Sequence, residues 1–358
     1  MRLAVTLIVP AHNPPKGHFE ECCRSISGQE TVYPFEVIAI DDCSDRYAAD
    51  EIAEACGRFG FDLLHNEENL GVSRSRNRAM SRARGDYVAF LDADDCIYPD
   101  FIEDAMRLAE KTGAACVAGD LLLTPDDAFL PERVAADTEH RVFKGADVAL
   151  VMAGVVAGND FMLTSVADAK SFVHAGPVAR LYRRDVIAAH GLCFDPGLAC
   201  GEDIKFNLDF LARAEACVIT DKVWYQYKQH MTSATNGVKP AQLESQVRFC
   251  EDLLENPIVR RFGMEQAAYG RVLGGLKTLV RRICAAGYPS KGEVRDEIAR
   301  LVDVGVFRAA CGSIDLSQFH LSSKDRAFAW LCRKRLSTAV YLLSMLALAG
   351  KRDGRPQA

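Results

Sequence analysis

The chain has no C-x-x-C pair, although it holds 13 cysteines, an odd number scattered mostly through apolar stretches. Neither a zinc site nor a disulfide framework fits that scatter, whereas reduced thiols in a cytosol do. It has no run of 18 or more apolar residues, which excludes an ordinary transmembrane helix. The opening MRLAVTLIVPAHN is a short apolar run with no cleavage site, so it reads as structure and not as a signal peptide. Positive charge is not in excess: the net charge is −6 at pH 7, which argues against a nucleic-acid partner. There is no internal repeat and no low-complexity segment. The loop after the first apolar run, AHNPPKG, has one Gly and one Lys, too few for the basic Gly-rich loop of a nucleotidyltransferase.

The 358 residues are 49% apolar and 26% charged, enough for one large domain or two with a sizeable core. The charge is uneven. Residues 1–240 carry 24 basic against 37 acidic side chains, and residues 241–358 carry 19 against 12. An acidic front half invites a metal, and a basic tail invites an anionic surface.

Apolar and turn signals alternate through the first 120 residues. Strands are expected at 3–10, 35–40, 61–65, 87–91 and 114–118, and helices at 19–27, 48–59, 73–84 and 99–111. Further on, a strand is expected at 178–183, helices at 185–190 and 201–213, and separate strands at 216–219 and 223–227. Such alternation predicts an α/β fold with a doubly wound, mostly parallel sheet. In these sheets ligands bind beyond the carboxyl ends of the strands. The chemistry-bearing residues sit at those ends: His12 and Asn13, Asp41 and Asp42, and Asp92 to Asp95.

Asp92, Asp94 and Asp95 repel one another unless a cation or donor groups offset them. Hard oxygen ligands of this kind suit Mg²⁺ or Mn²⁺ holding a diphosphate. A solvated acidic turn explains a lone D-x-D equally well. Asp42 could accept the N3–H of a uracil, or it could cap a turn. Arg74, Arg76 and Arg78 follow Gly71 on a helix start that can approach phosphates, though at least one would be a solvated charge. Glu202 and Asp203 open a helix, where the helix dipole keeps a carboxylate ionised as a proton acceptor or simply as a cap. Lys228, His230 and Ser233 lie on a strand exit, within possible reach of a diphosphate or metal.

The combination is more specific than its parts. The order LIVPAHN, IAIDDCSD, NLGVSRSRNRA, GDYVAFLDADDCIYP, ARLYRRDVI, CGEDIKFNLDFL and YQYKQHMTS resembles the family-2 glycosyltransferases, inverting bacterial enzymes with the GT-A fold. The resemblance covers residues 3–235. It implies that Pro10, His12 and Asn13 cradle a nucleotide, with His12 where many relatives have Tyr. It implies that Asp42 binds uracil, and that Arg76 and Asn77 lie near the nucleotide and the D-x-D. Asp92 would hold ribose and, with Asp94 and His230, the metal (Mn²⁺ or Mg²⁺). Asp203 would be the general base and Glu202 its aid in positioning. Lys228 and Ser233 would complete the diphosphate site, with Lys replacing the commoner Arg.

The expectation is then a GT-A domain over 1–238, with 120–175 an insertion or lid, and a helical basic region over 239–358. The donor would be a nucleotide-sugar, a UDP-sugar by the Asp42 argument, and the acceptor a hydroxyl of a glycan or lipid-linked glycan. A non-catalytic sugar-nucleotide binder or scaffold of the same fold is the alternative. A haloacid-dehalogenase-like phosphatase fits poorly, because the D-x-D ends the fourth strand and Cys96 stands where Thr or Val is needed. The apolar stretch 336–350, with basic residues on both sides, suggests contact with the inner face of the plasma membrane or a homodimer. Burial of that helix against the chain itself is the competing expectation.

Overall fold

The computed structural model describes residues 2–128, 139–158, 160–169, 173–229, 240–285 and 290–352. The chain opens with β1 (Val5–Ala11), α1 (His18–Ser27), β2 (Phe35–Asp41), α2 (Arg46–Phe59), β3 (Asp62–His65) and α3 (Val72–Met80). Then follow β4 (Tyr87–Phe90), β5 (Cys96–Ile97), α4 (Phe101–Thr112), β6 (Cys116–Pro125), β7 (His140–Lys144), α5 (Val148–Ala157), β8 (Met162–Leu163) and α6 (Thr164–Asp168). Next come β9 (Arg180–Arg183), α7 (Arg184–His190), α8 (Glu202–Leu211) and β10 (Ala216–Gln229). The rest is α9 (Pro240–Glu255), α10 (Pro257–Arg261), α11 (Glu265–Ala285), α12 (Lys291–Asp303), α13 (Gly305–Ser313), β11 (Phe319–His320), α14 (Ser323–Arg333) and α15 (Ser337–Arg352).

Two compact units result. One comprises Met1–Met152, Val173–Gly197 and Glu202–Ser233; the other comprises Ala153–Phe172, Leu198–Gly201 and Ala234–Ala358. The segment 120–175 is therefore divided: β7 pairs with β10 in the first unit, while β8 pairs with β11 in the second.

The first unit is built on a sheet of order β3-β2-β1-β4-β9-β6-β10-β5, with β7 also on β10. β1 runs parallel to β2 and β4, β2 to β3, and β6 to β10. β9 is antiparallel to both β4 and β6, and β5 and β7 are antiparallel to β10. The expected mostly parallel sheet is thus present, with antiparallel members at its centre and far edge. β1 is buried along its whole length, as a central strand covered on both faces must be. The helices pack through single apolar stripes, for example Phe19, Cys22, Cys23 and Ile26 of α1.

Local chemistry sets several boundaries. Asp45 caps α2 by accepting from the backbone N–H groups of Tyr47 and Ala48, and Gly60 ends it in the left-handed conformation. The two strands expected at 216–219 and 223–227 are one strand, β10, with register shifts between Ile219 and Tyr225. Asp221 and Lys222, between the two expected strands, lie at this irregularity. The helix expected to reach Arg84 ends at Met80. The chain turns there because Gly85 must lie on the β1 backbone, its N–H donating to Thr6 Oγ1 at 2.9 Å.

In the second unit, α11 is the central helix, buried through residues such as Val272, Leu273, Leu276 and Val280. Lys277 is buried beside them and pairs with Asp160 and Asp325, each at 2.7 Å. The helical region expected after 239 is therefore present, joined in its unit by residues 153–172.

A Cβ on Gly85 would lie 2.5 Å from the backbone of both Val5 and Thr6. Gly85→Ala is expected to lower stability by about 2 kcal/mol, the overpacking range, read as a shift in the urea midpoint. An unchanged midpoint would show that β1 and β4 can separate without loss.

Candidate active site

The parallel pairing of β1 with β2 and β4 brings three strand exits to one edge of the sheet. Ala11 lies beside Asp41, and Ile8 beside Phe90. Beyond them come His12-Asn13, Asp42-Cys43-Ser44 and Asp92 to Asp95. Asn13 and Cys43 both take left-handed backbone conformations, at φ 47° and 59°, so these loops turn sharply at the sheet edge. Asn13 ties the loops together: its N–H donates to Ser44 Oγ at 3.0 Å, and its Oδ1 accepts from the Asp45 N–H at 2.8 Å. His12 Nδ1 lies 2.9 Å from the Asp42 carbonyl, and its Nε2 3.0 Å from the Asn69 amide. A carbonyl only accepts, so Nδ1 donates to it, and the Asn69 amide donates to Nε2.

Asp42 was expected to offer its carboxylate to a base. The structure gives that carboxylate other partners. Oδ1 accepts from the Asn66 amide at 2.7 Å and the Leu70 N–H at 2.9 Å; Oδ2 accepts from the Gly71 N–H at 2.8 Å. The Ser75 hydroxyl is a fourth donor, and together the donors outweigh burial and hold the carboxyl below the usual range. A carboxylate has about four acceptor positions, so a uracil N3–H must displace one of these donors. Asp42 buckles the start of α3, where Gly71 has φ 83°, onto the end of β2.

Arg76, on the next turn of α3, is buried. Its guanidinium donates to Asp92 Oδ1 at 2.9 Å and stands 3.7 Å from Glu202 Oε1. One face rests on Phe194, 5.1 Å from the ring centroid, a cation–π contact. Its Nε is buried with no acceptor. A single cation thus joins two acidic motifs more than a hundred residues apart. Burial raises Asp92, with Asp94 adding to the rise and Arg76 opposing it. Burial raises Glu202 as well; Asp203 adds to that, and Arg76 again opposes. Asp203 stands beside Glu202 in the first turn of α8, its Oδ1 accepting from the Ile204 N–H at 2.7 Å.

Asn77 does not face this cluster. Its side-chain amide clamps the Phe194 backbone, donating to the carbonyl at 2.7 Å and accepting from the N–H at 2.8 Å. It therefore positions the ring under Arg76, while the resemblance implied a place near the nucleotide and the D-x-D. Arg78, beside it, donates to the His65 carbonyl and to Asn66. Arg74 is exposed, as a solvated charge would be.

Asp94 is half-buried between Asp92 and Asp95. Asp95 is buried, accepting from the Tyr225 hydroxyl at 2.7 Å and the Lys228 N–H at 2.8 Å. Burial and the neighbouring Asp92 and Asp94 push its carboxyl up to about 8. Lys228 was expected at a diphosphate, but its ammonium is buried against Glu21. β10 carries it into the sheet between β6 and β5, so the side chain meets α1. Pro10 is likewise buried within β1. His230 and Ser233 lie outside the described residues.

Among the described residues no group of three or more His, Cys, Asp or Glu side chains could hold a metal ion. Asp92 and Asp94 are hard oxygen donors of the type that Mg²⁺ or Mn²⁺ takes. Such ions are held by one or two carboxylates plus phosphate oxygens.

One group escaped sequence reasoning. Arg180 and Asn207 are buried, and Arg180 donates to Asn207 Oδ1 at 2.7 Å and to the His174 carbonyl. The Tyr182 hydroxyl donates to the same Oδ1 at 2.6 Å, and Asn207 donates to the Ala175 carbonyl at 2.7 Å. Asn207 stands one turn after Asp203 on α8, so this network fixes the helix that carries the candidate base. Its signal in the sequence was faint: a lone Asn inside the apolar run of KFNLDFL.

Comparison with known proteins bears on this geometry. A family model described as Glycosyl transferase family 2 matches residues 6–190. The glycosyltransferase YibD of Escherichia coli is 28% identical over 231 residues, 64% of this chain and 63% of the relative. The chain thus spans less than two thirds of that relative's length. Residues 1–349 of Staphylococcus aureus TarS, solved with UDP-GlcNAc, superpose with a TM-score of 0.62 at 17% identity, over 97% of this chain and 92% of that one. The mannosyltransferase PcManGT of Pyrobaculum calidifontis, solved with GDP-Man and Mn²⁺, superposes with a TM-score of 0.51 at 15% identity, over 96% and 88%.

Removing the Arg76 charge should leave two half-buried acidic motifs uncompensated. Arg76→Met is expected to cost about 3 kcal/mol at pH 7 by urea unfolding. Glu202 already titrates above an ordinary carboxylate, and the loss of Arg76 raises it further. The folded variant then binds a proton that the unfolded chain releases, so the deficit should shrink as pH falls toward 5. A deficit independent of pH would assign the loss to packing on Phe194.

Proposed function

This chain belongs to glycosyl transferase family 2 and has a GT-A-like fold. From that premise we propose that it is an inverting glycosyltransferase, moving a sugar from a nucleotide-sugar to an acceptor hydroxyl. The observation that carries the reading is the Arg76 bridge. It brings Asp92 and the Glu202-Asp203 pair to the same edge of the sheet, where a donor's diphosphate and an acceptor can meet.

Asp203 takes the acceptor proton as the acceptor oxygen bonds to the anomeric carbon. The bond from that carbon to the diphosphate oxygen breaks on the opposite face, so the configuration inverts in one displacement. Glu202, held by Arg76, shapes the approach of the acceptor. A positioned base of this kind contributes about 10²–10⁴ in rate. Asp94, with Asp92 and His230, would hold a Mg²⁺ or Mn²⁺ ion, which when bound offsets charge on the departing diphosphate. Asp92 also meets the ribose. Asn13 and His12 line the nucleotide side, Lys228 would reach the diphosphate only by leaving Glu21, and the resemblance assigns Ser233 to the same group.

For the donor we favour a UDP-sugar. TarS was solved with UDP-GlcNAc and PcManGT with GDP-Man, so the fold admits either base. Asp42 supports uracil, with the base taking the place of one of its present donors. The acceptor is a glycan or lipid-linked glycan in surface polysaccharide synthesis. The 13 free cysteines, most of them buried, support a reducing cytoplasm as its place of work.

Asp203→Asn is expected to slow acceptor-dependent UDP release by about 10²–10⁴ while leaving UDP affinity within about threefold. Undiminished transfer by this variant would remove Asp203 as the base, whereas no transfer by the wild type would favour a non-catalytic sugar-nucleotide binder. UDP should bind more tightly than GDP by calorimetry with Mn²⁺ present; the reverse order would remove the uracil assignment. Transfer should stop in excess EDTA and return with Mn²⁺ or Mg²⁺, and full activity in EDTA would exclude the metal.

A further inference from the structure

Exposed large apolar side chains are few in the described chain, and they are not evenly spread. Of the twelve, five fall between residues 330 and 346: Trp330 (51% exposed), Leu336 (45%), Leu342 (56%), Met345 (37%) and Leu346 (73%). Such concentration marks a contact surface, whereas scattered apolar exposure does not. α15 is two-sided. Val340, Tyr341 and Ser344 are buried within the helical unit, while Leu342, Met345 and Leu346, at spacings of three and four, form an apolar stripe facing out.

Basic residues outnumber acidic ones around this stripe. Arg333, Lys334 and Arg335 precede α15, and Lys351 and Arg352 end it. From Lys324 onward there are eight basic residues and two acidic ones. One of the acids, Asp325, is already paired with Lys277. Arg333 is occupied by the carbonyls of Cys311 and Ile314, and Arg335 pairs with Asp303 at 3.4 Å, but Lys334 is exposed. At 16 residues α15 is about 24 Å long, shorter than a hydrocarbon core of about 30 Å. No helix among the described residues is long and apolar enough to cross a membrane.

We propose that the exposed face of α14 and α15 docks on an anionic lipid surface, lying in its plane. Leu342, Met345 and Leu346 enter the acyl boundary, Trp330 sits at headgroup depth, and the basic ends of the segment meet lipid phosphates. Charge decides against a second copy as the occupant. Two α15 helices paired face to face bring basic ends together in either orientation, whereas a leaflet of negative charge attracts both ends. The docking itself needs no donor or acceptor. It bears on the glycosyltransferase reading only in bringing the site to lipid-linked substrates.

The test is flotation of the full chain with vesicles of phosphatidylcholine containing about one part in three phosphatidylglycerol, against pure phosphatidylcholine. Binding is expected only to the anionic vesicles and should fall steeply as salt rises. Leu342→Glu with Leu346→Glu should lower the bound fraction at least about tenfold, with UDP affinity unchanged as the control for folding. Independently of any destabilising variant, wild-type tryptophan emission should shift to the blue on anionic vesicles. Trp330→Phe should abolish the shift, because Trp224 is buried. The proposal is overturned if anionic vesicles fail to bind the chain. Equal flotation of the double glutamate variant also overturns it. So does conversion by that variant of a solution oligomer to monomer with flotation unchanged, which would make the face a contact between copies. Flotation is run without nucleotide, so a chain that floats but transfers no sugar refutes the catalytic reading and leaves this one standing.

Discussion

The arrangement of the site depends on one buried guanidinium. Arg76 lies between Asp92 and Glu202, and either carboxylate alone would resist burial beside its acidic neighbours. Burying a cation is itself unfavourable, by several kcal/mol when it is unpaired. The protein meets that cost with two carboxylates and an aromatic face. The face in turn must be held, and Asn77 holds it by clamping the Phe194 backbone at both its N–H and its carbonyl. Adjacent residues of α3 therefore perform complementary tasks, one carrying charge and the other placing the ring beneath it.

Phe194 also connects the site to the core. It stacks on Phe206 of α8 with ring centroids 4.2 Å apart and meets Phe90 of β4 edge-on at 5.2 Å. Tyr182 meets Phe206 and Phe210 while its hydroxyl reaches Asn207. Aromatic pairs of this kind contribute about 0.5–1.5 kcal/mol each beyond their burial. The helix bearing Glu202 and Asp203 is thus held by an apolar cluster on one side and by the Arg180–Asn207 network on another. The base proposed at Asp203 would gain from this rigidity.

On the other side of Arg76, Asp42 performs a similar service for the loops. Its carboxylate gathers Asn66, Leu70, Gly71 and Ser75, so that β2, β3 and the start of α3 share one anchor. Tyr225 does the same between Asp92 and Asp95, accepting from one backbone and donating to the other side chain. Much of the polar chemistry at the strand ends is therefore internal. A ligand entering there exchanges existing hydrogen bonds for new ones, a device that favours partners able to reproduce them.

Periodicity and composition alone determined a good deal: an α/β sheet with its chemistry at the strand ends, a helical basic tail, and the acidic motifs at 92–95 and 202–203. These were legible because strand and helix periods are local, and because an apolar run ending in carboxylates is unusual whatever surrounds it. The short β5 and β7 were not legible, since two to five residues carry little periodic signal and exist only through pairing with β10. Nor was the unity of β10, whose irregular middle reads as a break until β6 is seen alongside it. The present partners of Asp42, Asn77 and Lys228 were also visible only in three dimensions. Each has a side chain that can serve a ligand or the protein, and its partners here stand 29, 117 and 207 residues away: Gly71, Phe194 and Glu21. For α15 the sequence showed an apolar helix with basic ends, but not which face was covered. Packing buried Val340 and Tyr341 and left Leu342 and Leu346 outside, because a helix can present only one side to its own core.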